Sequence, residues 1–229
     1  MHYWLIMPAA GSGRRFGAAV PKQYLPLAGK TVIEHALAPF LADDRCRQIV
    51  VALDPADAFF QTLPPARDAR LRVVAGGAQR CDSVRNAVLS LDAGADDWVL
   101  VHDAARPCLS TAELDALLAE CGADAVGGLL AAPLADTLKR GDAQQRVLET
   151  PSRESLWRAL TPQMFRLGLL RAALQAAQVM GRQPTDEAQA LEWCGHAPRL
   201  VPGRAANLKI TAPADLPLAA AVLAQGSSA

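Results

Sequence analysis

Along this chain, short apolar runs alternate with stretches whose apolar positions recur every three or four residues. The runs Tyr3 to Met7, Gln48 to Leu53, Leu71 to Val74, Trp98 to His102, Ala125 to Leu130 and Arg199 to Val201 are brief, and several are almost wholly apolar. That pattern marks strands covered by helices on both faces. Between them, Val84, Ala87, Val88 and Leu91 fall at i, i+3, i+4 and i+7, as do Leu114, Leu117, Leu118 and Cys121. Each set forms one face of a helix, and Ser110 with Glu113 supplies a capping box ahead of the second. The alternation predicts an α/β fold built on a doubly wound, mostly parallel sheet.

Residues 133–153 break the pattern. Two short segments, Asp136 to Arg140 and Arg146 to Thr150, flank the turn-rich stretch Gly141 to Gln145, which predicts a β-hairpin. A two-stranded ribbon is marginally stable alone in water, so this arm is expected to pack against a second subunit. The chain reads as one domain, residues 1–229, with the arm at 133–153 within it.

Composition narrows the possible partners. At 229 residues and 51% apolar content the chain can bury a substantial core. Its 23 basic and 23 acidic residues cancel, without the basic excess of a nucleic-acid or membrane surface, so neither nucleic acid nor membrane is expected as a partner. The five cysteines are scattered with no CxxC pair, and the four histidines show no zinc spacing. Reduced thiols, and an N-terminal apolar run too short for a signal peptide or membrane span, predict a cytoplasmic protein.

The balanced total hides a local asymmetry. The first acidic residue is Glu34, preceded by Arg14, Arg15, Lys22 and Lys30. Residues 8–24, PAAGSGRRFGAAVPKQY, join a glycine-rich turn to these cations directly after the first apolar run. Glycines at 11, 13 and 17 let backbone N–H groups approach an anion. A Walker A loop is excluded because Tyr24 stands where the first glycine of GxxxxGK is needed. A dinucleotide fingerprint fits poorly: the third glycine is one position late, and no acid follows at 31–33. A tight strand-to-helix turn is the purely structural alternative.

Two further motifs share this character. GGAQRCDSV at 76–84 places a glycine pair where a flat ring can lie against backbone, with Ser83 able to bond its edge; Asp82 or Ser83 reads equally well as a helix N-cap. VHDAARP at 101–107 lies at the C-terminal end of a strand, where open α/β sheets bind ligands. There Asp103 suits a ribose hydroxyl or a metal and Arg106 a phosphate, or the two pair with each other. Thr137, Arg153, Thr185, Asp186 and Lys209 are weaker signals. Taken singly, Thr185 and Thr211 read as N-caps, Arg153 as a solvated charge and Lys209 as an edge-strand lysine.

Together, PAAGSGRRFGAAVPKQY, GGAQRCDSV, VHDAARP, LTPQ, TDEAQALE and GRAANLKIT resemble the 2-C-methyl-D-erythritol 4-phosphate cytidylyltransferase family, within the wider nucleotidylyltransferases. The resemblance covers nearly the whole chain in order. It implies a Rossmann-like domain whose β-arm clasps a twofold mate in a homodimer. It also implies transfer of CMP from CTP to the polyol phosphate, with release of pyrophosphate, in non-mevalonate isoprenoid synthesis.

By that resemblance, Pro8, Ala9, Ala10, Gly11 and Gly13 cradle CTP, Gly77, Ala78 and Ser83 read cytosine, and Asp103 lies near the ribose. Arg15, Lys22 and Lys209 correspond to the catalytic cations, and Arg106, Thr137, Arg153, Thr185 and Asp186 to the acceptor site, with Thr137 and Arg153 coming from the mate. Mg2+ is implied on the CTP phosphates, with no protein side chain assigned to it. Position 78 is Ala where some relatives have an acid, which argues against base recognition by that side chain. The ribitol 5-phosphate cytidylyltransferases share much of this pattern. A non-catalytic nucleotide-binding protein is the alternative of another class, whereas the absence of any D-x-D disfavours a glycosyltransferase.

Overall fold

The structure, a computed structural model, describes residues 1–11 and 20–226. Its strands are β1 (Tyr3–Pro8), β2 (Pro26–Leu27), β3 (Lys30–Thr31), β4 (Cys46–Leu53), β5 (Leu71–Ala75), β6 (Trp98–Val101), β7 (Gly127–Pro133), β8 (Arg140–Gly141), β9 (Val147–Glu149), β10 (Trp157–Arg166) and β11 (Arg199–Pro202). The helices are α1 (Val32–Leu41), α2 (Arg80–Ser90), α3 (Thr111–Cys121), α4 (Leu167–Val179), α5 (Glu187–Glu192) and α6 (Asp215–Gly226). Seven strands form one sheet in the order β11-β7-β10-β6-β1-β4-β5. β10 runs against its neighbours β6 and β7, while every other adjacent pair is parallel.

The strand period of two divides the core between the two faces. Leu5 and Met7 of β1 and Ile49 and Val51 of β4 pack on one side with Ile33, Leu37 and Phe40 of α1 and Leu114 and Leu117 of α3. Ile6, Val50, Val99 and Val101 point the other way, against Val84 and Val88 of α2, Leu170 and Leu174 of α4 and Leu191 of α5. Each such aliphatic side chain contributes about 1.5–3 kcal/mol on burial. A smaller cluster seats Ala219 of α6 against Leu27, Val32, Cys108 and Ile210.

The six predicted strands are present, and Ser110 and Glu113 form the predicted capping box at α3. β10 was not predicted. It carries Arg158, Thr161 and Gln163 around Pro162, and its pairing with β7 slips between Ala159 and Gln163. A proline within a polar run argues against a central strand, and here the break in register accommodates it.

The predicted caps need correcting. α2 begins at Arg80 with Gln79 as N-cap, so neither Asp82 nor Ser83 holds that position; Asp82 reaches back one turn to the Gln79 N–H at 3.1 Å. Asp186, not Thr185, caps α5. Thr211 precedes α6 without capping it, its N–H and hydroxyl donating to the Asp215 carboxylate.

The hairpin is shorter than predicted. β8 and β9 flank a turn closed by Asp142, whose carboxylate accepts from Gln144 and Arg146 N–H groups at 2.9 and 2.8 Å. Val147 and Leu148 on β9 are 62% exposed.

Candidate active site

Four parallel strands, β1, β4, β5 and β6, end at the same edge of the sheet, and the loops leaving them frame a cavity of about 840 Å³. The β1 loop continues the sheet for one residue, with Ala9 N–H donating to Ala52 O at 2.8 Å. The buried Gln23 amide then donates to Ala9 O at 2.8 Å and Gly11 O at 3.4 Å, fixing the described end of the loop.

Beside it runs the loop of Gly76 and Gly77. A Cβ at Gly76 would lie 2.3 Å from Ala10 Cβ, and one at Gly77 equally close to Asp82 Cβ. Only glycine allows these two loops and the start of α2 to meet so closely. Ser83 locks the arrangement: its hydroxyl accepts from Gly77 N–H at 3.0 Å and donates to Gln79 O at 3.2 Å.

The opposite wall is charged. Asp103, buried just beyond β6, pairs through Oδ1 with Arg80 Nε at 2.9 Å and through Oδ2 with Lys209 Nζ at 2.8 Å. Arg106 Nε stands 3.5 Å from the same Oδ2. Burial would raise the Asp103 pKa, but Arg80, then Lys209 and Arg106, hold the carboxyl well below the usual carboxylate range. Arg80 also grips Glu187, which is 1% exposed, at 2.6 and 3.0 Å through its two terminal nitrogens.

Backbone bonds set Lys209 in place. Ile210 N–H donates to Ala105 O at 2.8 Å, Arg106 donates to Asn207 O at 2.8 Å, and the Asn207 amide donates to Thr161 O at 2.8 Å. Lys22 Nζ reaches the Ile210 carbonyl at 2.8 Å, so two lysines far apart in sequence meet at this segment and line one cavity.

Beneath Asp103 lies His102, fully buried. Its Nε2 faces the Arg106 carbonyl at 3.1 Å and so carries the proton, while Nδ1 accepts from the Thr161 hydroxyl at 2.9 Å. Thr161 Oγ1 in turn accepts the Asp103 N–H at 3.1 Å. Burial pushes the His102 pKa down to about 4, so the ring is neutral at pH 7.

A family model described as IspD, 2-C-methyl-D-erythritol 4-phosphate cytidylyltransferase, matches residues 3–225. The chain belongs to this family. A cytidylyltransferase of the same description from Pseudomonas savastanoi pv. phaseolicola is 53% identical over 217 residues, 93% of this chain and 92% of the relative. The Francisella tularensis family member of known structure is 35% identical with a TM-score of 0.85, covering 97% of this chain and 100% of that one. A crystal structure of a 4-diphosphocytidyl-2C-methyl-D-erythritol synthase is 39% identical with a TM-score of 0.84, covering 97% and 99%.

Of the residues singled out by resemblance to the cytidylyltransferases, Pro8, Ala9, Ala10, Gly11, Lys22, Gly77, Ala78, Ser83, Asp103 and Lys209 line the one cavity. Gly13 and Arg15 lie outside the described residues. Arg106 stands behind Asp103 rather than on the cavity wall, and its Nε has no hydrogen-bond partner among the described residues. Lys209 is not an edge-strand lysine, since its segment forms no strand and its amine pairs with Asp103.

Four acceptor candidates stay off the cavity wall in this chain. Thr137 and Arg153 are exposed beside the hairpin, with Arg153 donating to the Ala135 carbonyl. Thr185 is exposed, and the Asp186 carboxylate bonds Gln163 and Gln189.

Sequence reading missed Arg80, Glu187, Gln23 and Thr161. Arg80 lay inside the quoted GGAQRCDSV motif and Thr161 inside LTPQ, but no spacing rule linked Arg80 to Glu187 107 positions away. Each of the four supports the site through buried or part-buried bonds.

Proposed function

We propose that this chain transfers CMP from CTP to 2-C-methyl-D-erythritol 4-phosphate, giving 4-diphosphocytidyl-2-C-methyl-D-erythritol and pyrophosphate, within isoprenoid synthesis. The observation that carries the reading is the convergence of Lys22 and Lys209 on a cavity whose far wall is formed by Pro8 to Gly11 and Gly77 to Gln79. One wall suits a flat base and the other a polyphosphate.

In the reaction, an oxygen of the acceptor phosphate attacks the α-phosphorus of CTP. The bond from that phosphorus to the oxygen bridging to the β-phosphate breaks, and the electron pair leaves with pyrophosphate. A phosphate monoester has its second pKa near 6 and is mostly dianionic at pH 7, so it needs no general base. His102 is buried with both ring nitrogens bonded, consistent with a structural role.

The demand on the protein is to bring two anions together and neutralise the crowded phosphorus and the leaving group. Lys22, Lys209 and Arg15 are the residues we assign to this. A divalent cation such as Mg2+, when bound, supplies further neutralisation. The donor set fits one carried by nucleotide phosphates and water, because both Asp103 oxygens are engaged by cations and no three His, Cys, Asp or Glu side chains cluster among the described residues.

We assign Gly77, Ala78 and Ser83 to cytosine, Asp103 to the ribose, and Arg106, Thr185 and Asp186 to the acceptor. Thr137 and Arg153 would serve the cavity of a twofold mate, a role consistent with their distance from this chain's own site and with the exposed apolar pair Val147 and Leu148. We further read the chain as one domain of a cytoplasmic enzyme. In support, no described helix is long and apolar enough to cross a membrane, and the five cysteines are unpaired.

Replacing Lys22, Lys209 or Arg15 by Ala should lower kcat by about 10² to 10³ while the far-ultraviolet spectrum stays native. Near-full pyrophosphate release by any of the three at saturating CTP would remove that residue from the charge-neutralising set.

A further inference from the structure

Glu187 is the most deeply buried acidic side chain of the charged wall, yet it does not line the cavity. Both of its oxygens are taken by Arg80, at 2.6 and 3.0 Å, in the two-pronged geometry that fixes a guanidinium in its plane. That leaves Arg80 Nε aimed at Asp103 Oδ1, 2.9 Å away, and Asp103 Oδ2 receives Lys209 at 2.8 Å. The result is a continuous chain of charge from Glu187 through Arg80 and Asp103 to Lys209.

The chain is clamped at Glu187 and at Asp103. Gln163 of β10 accepts the Ala188 N–H at 2.9 Å and donates to Asp186 at 3.0 Å, holding the start of α5 and thus the Glu187 backbone. Thr161 takes the Asp103 N–H at 3.1 Å. Buried ion pairs add little net stability over apolar packing, so an effect on geometry is the stronger reason for having one here.

Resting on the cytidylyl-transfer reading above, we infer that Glu187 is a positioning residue for the reaction. By holding Arg80, and through it Asp103, it keeps the Lys209 amine aimed into the cavity. Glu187 touches neither substrate and acts only through Arg80. It thereby ties the 185–187 segment, a candidate acceptor contact, to the nucleotide side of the site.

Glu187→Gln keeps the shape and removes the charge. Pyrophosphate-release kinetics with CTP and 2-C-methyl-D-erythritol 4-phosphate should show kcat lowered about ten- to a hundredfold, with the KM for CTP within about threefold of wild type. Thermal melts would report the folded fraction. A folded Glu187→Gln protein with kcat within about twofold of wild type would overturn the inference.

Should that variant not fold, the double variant Glu187→Gln/Arg80→Gln removes both charges of the pair together and leaves neither buried alone, and it is compared with Arg80→Gln. Equal kcat in these two supports action through Arg80, and a further loss of about tenfold in the double variant overturns it. Wild-type enzyme serves as the separate control: no turnover there would refute the proposed reaction, whereas wild-type turnover beside an unaffected Glu187→Gln refutes only this inference.

Discussion

At the scale of single residues, the site rests on polar groups buried with their partners chosen in advance. His102 shows this most clearly. The Thr161 hydroxyl and the Arg106 carbonyl dictate a neutral ring with its proton on Nε2, and burial lowers its pKa from 6.5 to about 4. Between those two pH values the unfolded chain takes up a proton that the folded chain refuses. Stability is therefore complete above about pH 6.5 and declines as the pH falls towards 4, by on the order of 3 kcal/mol. Asp103, whose folded pKa is also depressed, adds a second loss below its ordinary value of 3.8. Urea denaturation at pH 7 and pH 5 should show the first decline, and His102→Gln should flatten it. An unchanged slope in that variant would assign the decline to other groups. The residue types behind this network were readable in the motifs VHDAARP and LTPQ, but not their pairing, because hydrogen bonds between residues 59 positions apart leave no periodic trace in a sequence.

At the scale of elements, alternation of apolar runs and helical faces carries most of the information. β1, β4, β5, β6, β7 and β11 emerge within a few residues of the predicted runs; the central strands β1, β4, β6 and β7 are apolar on both faces, whereas the edge strands β5 and β11 carry exposed Arg72 and Arg199. β10 escapes that logic, since its residues 160–162 leave the ladder to place Thr161 beside His102 and Asp103. The hairpin is the other exception, visible through its turn residues rather than its apolar pattern. Its β9 side chains Val147 and Leu148 are too exposed for an isolated ribbon of five residues in two strands. Replacing residues 137–152 with a short Gly-Ser linker should convert the proposed dimer to a monomer in sedimentation velocity. It should also raise the KM for the acceptor while leaving CTP binding near wild type. A dimer that survives the deletion would show that another surface holds the two copies together.

At the scale of the whole molecule, residues at positions 8–11, 22–23, 77–83, 103–105 and 209–211 meet because four parallel strands end at one edge and the segment after β11 returns to them. The order and chemistry of these motifs were legible in the sequence, and they suffice to identify the family. Less legible was the division of labour between cavity and support, in which Glu187, off the wall, holds Arg80, and Arg80, on the wall, holds Asp103. Charge pairs of that kind depend on topology, so a single sequence lists the members without joining them. The balanced net charge likewise hides a site where Lys209, Arg80 and Arg106 gather around Asp103 and Lys22 enters the same cavity. Such a site favours a small polyanion in a protein of balanced net charge. The most direct test is to measure pyrophosphate release by the wild-type protein with ATP, GTP, UTP and CTP, each against 2-C-methyl-D-erythritol 4-phosphate and ribitol 5-phosphate. Release should be at least about tenfold faster with CTP and 2-C-methyl-D-erythritol 4-phosphate than with any other pair. No release with that pair, or an equal rate with ribitol 5-phosphate or another nucleotide, would contradict the assignment.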